Sequence, residues 1–71
     1  MTTIVYVKPR CPYCADARRH LRSTGEAFEE RDATSDETWR SELMSYTDGA
    51  GTVPTIVRDA EVQVGFPPGH G

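Results

Sequence analysis

Apolar and polar positions alternate between two periods along this chain. Ile4, Val5 and Val7, with Tyr6 among them, form a nearly continuous apolar, β-branched run. That pattern predicts a strand over residues 3–8, central in a sheet and covered on both faces. From residue 12 the period lengthens: Cys14, Ala17 and Leu21 fall at i, i+3, i+7, one buried stripe of a helix. This helix is expected over Pro12 to Ser23, with Gly25 as its stop. His20 borders the stripe and is expected to be half-buried by packing. Residues 27–32 read as a second strand with Phe28 facing inward. Thr34 and Glu37 have capping-box spacing, which places a second helix at 35–46 with Trp39, Leu43 and Tyr46 on its core side. Residues 48–51 are a turn. Thr55-Ile56-Val57-Arg58 and Glu61-Val62-Gln63-Val64 read as strands closed into a hairpin by Asp59-Ala60. The remainder, 65–71, is too rich in proline and glycine for a helix.

The expected order is therefore β-α-β-α-β-β. A strand–helix–strand unit makes a right-handed parallel crossover and the last two strands pair antiparallel. The fold class is α/β, a mixed four-stranded sheet with a helix on each face. At 71 residues the chain is expected to form one domain, 1–71. No run approaches the ~18 apolar residues of a membrane span, and Met1-Thr2-Thr3 leads straight into the first strand with no signal-peptide pattern, so no membrane partner and a cytoplasmic location are expected. Net charge is −3, which argues against general nucleic-acid binding. Charge is unevenly placed. Residues 8–22 hold five basic side chains and one acid, whereas 26–42 hold seven acids and two arginines. Arg18, Arg19 and Arg22 suit the C-terminal end of a helix dipole. Lys8 and Arg10 lie beside the chemistry.

That chemistry is Cys11-Pro12-Tyr13-Cys14, which contains the only two cysteines. At a helix start, positions i and i+3 share a face, so two sulfurs come within disulfide reach without much backbone movement. Pro12 suits the first helical position. The unpaired N–H groups there favour an anion at Cys11, with Lys8 and Arg10 adding positive charge. Cys11 is the expected attacking thiolate and Cys14, one turn deeper, the resolving thiol. Two other uses of the pair stay open. A structural staple closing so short a loop constrains the unfolded chain little. A metal site needs about four ligands, and only His20 and His70 remain as nitrogen donors.

With Thr52-Val53-Pro54 some forty residues later, the chain resembles the glutaredoxin family of the thioredoxin-fold superfamily. Leu21, Gly25, Phe28, Glu30 and Asp32 fit the family pattern as well. The resemblance implies a dithiol oxidoreductase that reduces disulfides or glutathione mixed disulfides. It further implies a cis Val53–Pro54 bond facing the dithiol, and a glutathione site made by Lys8, Tyr13, Thr52, Val53 and Pro54. No tightly bound cofactor is implied, and glutathione is the possible electron donor. Gly65-Phe66-Pro67-Pro68 departs from the family's Gly-Gly followed by Thr/Ser-Asp. It is similar instead to the glutaredoxin-like donors of ribonucleotide reductase. That makes thioredoxin reductase an alternative electron source and a protein disulfide an alternative substrate. A metal or iron–sulfur module is a third reading. The family's usual C-terminal helix is expected to be missing, with Phe66 folding back over the sheet beside Leu21 and His20. The apolar surface left there is expected to serve a partner or a weak homodimer of an otherwise monomeric chain.

Overall fold

A computed structural model describes residues 3–59 and 61–66 of the chain. The elements are β1 (Thr3–Val7), α1 (Pro12–Ser23), β2 (Phe28–Asp32), α2 (Glu37–Tyr46), β3 (Thr55–Arg58) and β4 (Glu61–Val64). The sheet order is β2-β1-β3-β4, with β1 parallel to β2 and the other neighbours antiparallel. This is the expected mixed four-stranded sheet. The apolar run makes β1 central, and Val5, Tyr6 and Val7 are all buried.

Register decides which helix covers which face. Val5 pairs with Glu30 on β2 and with Ile56 on β3, so these three share a face. Arg18 of α1 forms an ion pair with Glu30, which puts α1 on that side. Tyr6 pairs with Arg31, and both bond to Glu42 of α2 (2.7 and 2.8 Å), which puts α2 on the opposite side. The two helices sandwich the sheet. Leu21 from α1 and Leu43 from α2 are each fully buried, and burying a side chain of that size contributes about 1.5–3 kcal/mol.

Helix α1 ends as the sequence reading expects. Gly25 takes φ 74°, a conformation that costs glycine little. The Glu26 N–H donates to Leu21 O (3.1 Å) and the Gly25 N–H to Arg22 O (3.2 Å), the paired bonds of a Schellman stop. Helix α2 starts differently from expectation. Thr34 is not its cap: the Thr34 hydroxyl and N–H both donate to the Asp32 carboxylate (2.6 and 2.8 Å). The cap is Asp36, whose Oδ1 accepts from the N–H groups of Thr38 and Trp39 (2.8 and 3.1 Å), and the helix begins at Glu37. Asp32 competes for Thr34 and wins because the pair closes a tight local turn.

Two side chains depart from their expected burial. Tyr46 is exposed, although its ring centroid lies 5.8 Å from that of Tyr6. His20 is exposed rather than half-buried. It precedes Leu21 in a 3.6-residue helix, which turns it well off the buried stripe. Its ring lies 5.3 Å from that of Phe66. Phe66 is half-buried and packs on the core, so it does fold back beside α1. The hairpin residue Ala60 and the segment 67–71 lie outside the described residues.

Candidate active site

The site is assembled where β1 hands over to α1. Lys8, Pro9 and Arg10 carry the chain out of the sheet, and Arg10 adopts a left-handed φ of 61°, uncommon for a residue with a side chain. The turn delivers Cys11 in extended geometry as the N-cap of α1, with Pro12 at the first helical position. The Cys14 N–H donates to Cys11 Sγ (3.2 Å). The sulfur thus takes the place of the oxygen that usually caps a helix, accepting one of the start's unpaired donors.

The two thiols are free and differ sharply in access. Cys11 is half-buried and Cys14 is fully buried. Burial pushes the Cys14 thiol up to about 12, and its hydrogen bond with Cys11 adds to the rise; the Lys8 backbone N–H and the Arg18 charge oppose it. Cys14 therefore stays a protonated thiol at neutral pH.

Opposite the dithiol runs the segment 51–54. The Val53–Pro54 peptide bond is cis, and the Val53 carbonyl accepts from Cys11 Sγ at 3.8 Å. Thr55 anchors the segment, its buried hydroxyl donating to Thr52 O (2.8 Å). The Gly65 N–H donates to Pro54 O (2.8 Å). Lys8 Nζ reaches the Gly51 carbonyl at 3.4 Å. Cys11, Cys14, Lys8, Thr52, Val53 and Pro54 are thus brought to one end of the sheet. Tyr13 sits on the first turn of α1, 38% exposed.

Beside Lys8 lies a cleft of about 420 Å³, walled by Ala33, Thr34, Asp36, Glu37, Arg40 and Met44. Arg40 and Met44 were not legible as site residues. The one signal in the sequence is that Arg40 is one of only two basic residues in the acidic stretch 26–42. The other, Arg31, is taken up by Glu29, Glu42 and Tyr6. Gly51 lies against Met44 of the cleft wall. Its φ is 67°, and a Cβ there would meet Met44 Cε at 2.9 Å.

The glutaredoxin family profile matches residues 3–62. The chain belongs to the glutaredoxin family. Glutaredoxin 3 of Escherichia coli K12 is 37% identical over 57 residues, covering 80% of this chain and 68% of the relative. Among solved structures, the thioredoxin-like protein BC3987 superposes with a TM-score of 0.83 at 35% identity, over 92% of this chain and 88% of that one. A glutaredoxin from Brucella melitensis gives 0.73 at 34% identity, over 92% and 70%. Family membership and the adjacent cysteines make this chain a thiol–disulfide oxidoreductase in the general sense. No helix among the described residues is long and apolar enough to cross a membrane.

Proposed function

We infer that this glutaredoxin-family chain is a dithiol reductase of protein disulfides and glutathione mixed disulfides. The observation that carries the reading is the unequal pair: a half-exposed Cys11 at the helix start over a buried Cys14. Cys11, as thiolate, attacks one sulfur of the substrate disulfide. The substrate S–S bond breaks, its second sulfur leaves as a thiolate and takes a proton, and a mixed disulfide forms on Cys11. Cys14 then loses its proton to solvent and attacks Cys11 Sγ. The remaining substrate thiol leaves, and Cys11–Cys14 close as a disulfide. Two electrons have passed from the dithiol to the substrate, and two glutathione thiols or one reductase dithiol return them. No tightly bound cofactor enters the sequence.

The surroundings of Cys11 support a glutathionyl group as one substrate. The Val53 carbonyl faces Cys11 and offers strand-like pairing to an extended peptide. In the neighbouring cleft Lys8 and Arg40 offer two cations to a carboxylate, beside the acids Asp36 and Glu37. Thr52 and Val53 would hold the cysteinyl backbone of the bound group, and Tyr13 borders the thiols from α1. A second reading rests on Phe66, which occupies the position after Gly65 and packs beside His20. It favours a thioredoxin-reductase-fed donor to a protein disulfide, ribonucleotide reductase among them. Either reading fits a reducing compartment such as the cytoplasm.

Supplying electrons only through glutathione and its reductase, or only through thioredoxin reductase, separates the two. Turnover of a small glutathione mixed disulfide with the first source supports the glutathione reading. Turnover of a protein disulfide with the second source alone supports the other. Absence of turnover with both overturns the dithiol mechanism.

A further inference from the structure

The segment that carries Cys11 is basic, and the rest of the sequence is acidic. Residues 8–22 hold five basic side chains and one acid, against three basic and ten acidic in the remainder. The fold keeps part of this imbalance, although Glu30 of β2 shares the α1 face and pairs with Arg18. Helix α1 lies on one side of the sheet. Asp36, Glu37 and Glu42 belong to α2 and its cap on the other.

Along α1 the spacing is directional. Cys11, Ala15, Arg18 and Arg22 stand at i, i+4, i+7 and i+11, which is one ridge of a helix. The ridge runs about 16 Å from the thiol to the last turn at 1.5 Å per residue. Ala15, Arg18, Arg19 and Arg22 line a shallow groove of about 280 Å³. Three arginine side chains contribute to its walls, with the small Ala15 toward the thiol end. Two of the three have partners on the molecule. Arg18 is paired with Glu30 and Arg19 with Asp16 (3.2 Å). The Arg19 side chain is nevertheless 77% exposed, and exposed pairs of this kind hold each other by less than about 1 kcal/mol. Arg22 is exposed and has no ion pair among the described residues.

We propose that this groove is a docking surface for an acidic segment of a protein substrate, laid along α1 so that its disulfide reaches Cys11. The proposal rests on the oxidoreductase reading and names its substrate class. A long polyanion such as nucleic acid fits less well, because the groove spans few charges and acidic surface lies behind it. Charge on such a face acts mainly on encounter, where steering raises association rates by about 10- to 1,000-fold and falls away with salt.

The test uses the full chain and three synthetic peptides carrying the same disulfide, flanked by acidic, uncharged or basic residues. Reduction rates are compared at about 10 mM and about 150 mM salt, where the screening length falls from about 30 Å to about 8 Å. The expected order at low salt is acidic, then uncharged, then basic, with kcat/KM at least about tenfold apart at the extremes. The spread shrinks at the higher salt. Arg22→Glu collapses it and Arg22→Gln reduces it part-way. Ser41→Asp with Ser45→Asp changes net charge as much as Arg22→Glu but sits on α2, and it leaves the acidic-to-basic ratio standing. Equal rates for the three peptides overturn the proposal while leaving the oxidoreductase reading intact. A ratio indifferent to Arg22, or equally sensitive to the α2 control, does the same. Stronger competition from single-stranded DNA than from an acidic peptide lacking cysteine overturns it in favour of nucleic acid. Failure to reduce any of the peptides brings down both readings.

Discussion

Adding one methyl group at Gly51 probes the cleft and the fold together. At φ 67° an L-side chain is pushed toward the following carbonyl, a cost of roughly 1–2 kcal/mol. The new Cβ meets Met44 Cε at 2.9 Å and Sδ at 3.3 Å, so the end of Met44 has to move. Because that end is flexible, its displacement costs less than a backbone clash, and the total for Gly51→Ala is about 1–3 kcal/mol. In a chain of this size each kcal/mol lowers Tm by about 4–8 °C. Calorimetry or a thermal melt followed by circular dichroism therefore reads a fall of at least about 4 °C. Met44→Ala separates the two causes. In that background the steric part vanishes and only the backbone part survives, so the double-mutant cycle shows a favourable coupling. A Gly51→Ala protein as stable as the parent would refute the left-handed geometry. Additive effects of the two substitutions would refute the Met44 contact.

Three other outcomes are expected. Alkylation of the reduced protein near neutral pH should label Cys11 and spare Cys14, whose thiol is pushed up to about 12 by burial; comparable labelling of both, read by mass spectrometry, contradicts the buried placement. Asp36→Ala should cost about 0.5–2 kcal/mol as loss of a helix cap, measured by urea unfolding, and Thr34→Ala should cost less; the reverse order would restore Thr34 as the cap. Glu26 is held below the usual carboxylate range by hydrogen bonds from Arg58 and Thr3. A carboxyl lowered on folding gives stability that is present above its unfolded pKa and lost as pH falls through the folded one. Glu26→Gln should therefore destabilise at neutral pH and converge with the parent in acid, and a gap independent of pH would contradict this.

The sheet was readable because local pattern and tertiary demand agree. The unbroken run Ile4 to Val7 needs cover on both faces, and only the central position provides it. The stripe Cys14, Ala17, Leu21 likewise marks the buried face of α1 from spacing alone, and Gly25 marks its end. The dithiol was readable for the same reason, since its spacing and its place before a helix are both local. The start of α2 was misread because two acids compete for one turn. Asp32, three-dimensionally close to Thr34, takes the hydroxyl that the capping-box spacing had assigned elsewhere. Tyr46 keeps the side its spacing predicts, with its ring 5.8 Å from that of Tyr6, but as the last residue of α2 it stays exposed. The cleft wall of Arg40 and Met44 was invisible because it exists only where α2 crosses the loop after β1. No spacing within the sequence encodes that approach.

The proposed division of labour between the two sulfurs gives each single-serine variant its own outcome. Cys11→Ser and Cys14→Ser are exposed separately to a disulfide-bonded substrate and the adducts weighed by intact mass spectrometry. Cys14→Ser should trap a stable mixed disulfide through Cys11, because attack is intact and resolution is lost. Cys11→Ser should trap none, with Cys14 buried and protonated. Equal trapping by the two variants, or trapping by Cys11→Ser alone, would contradict the assignment.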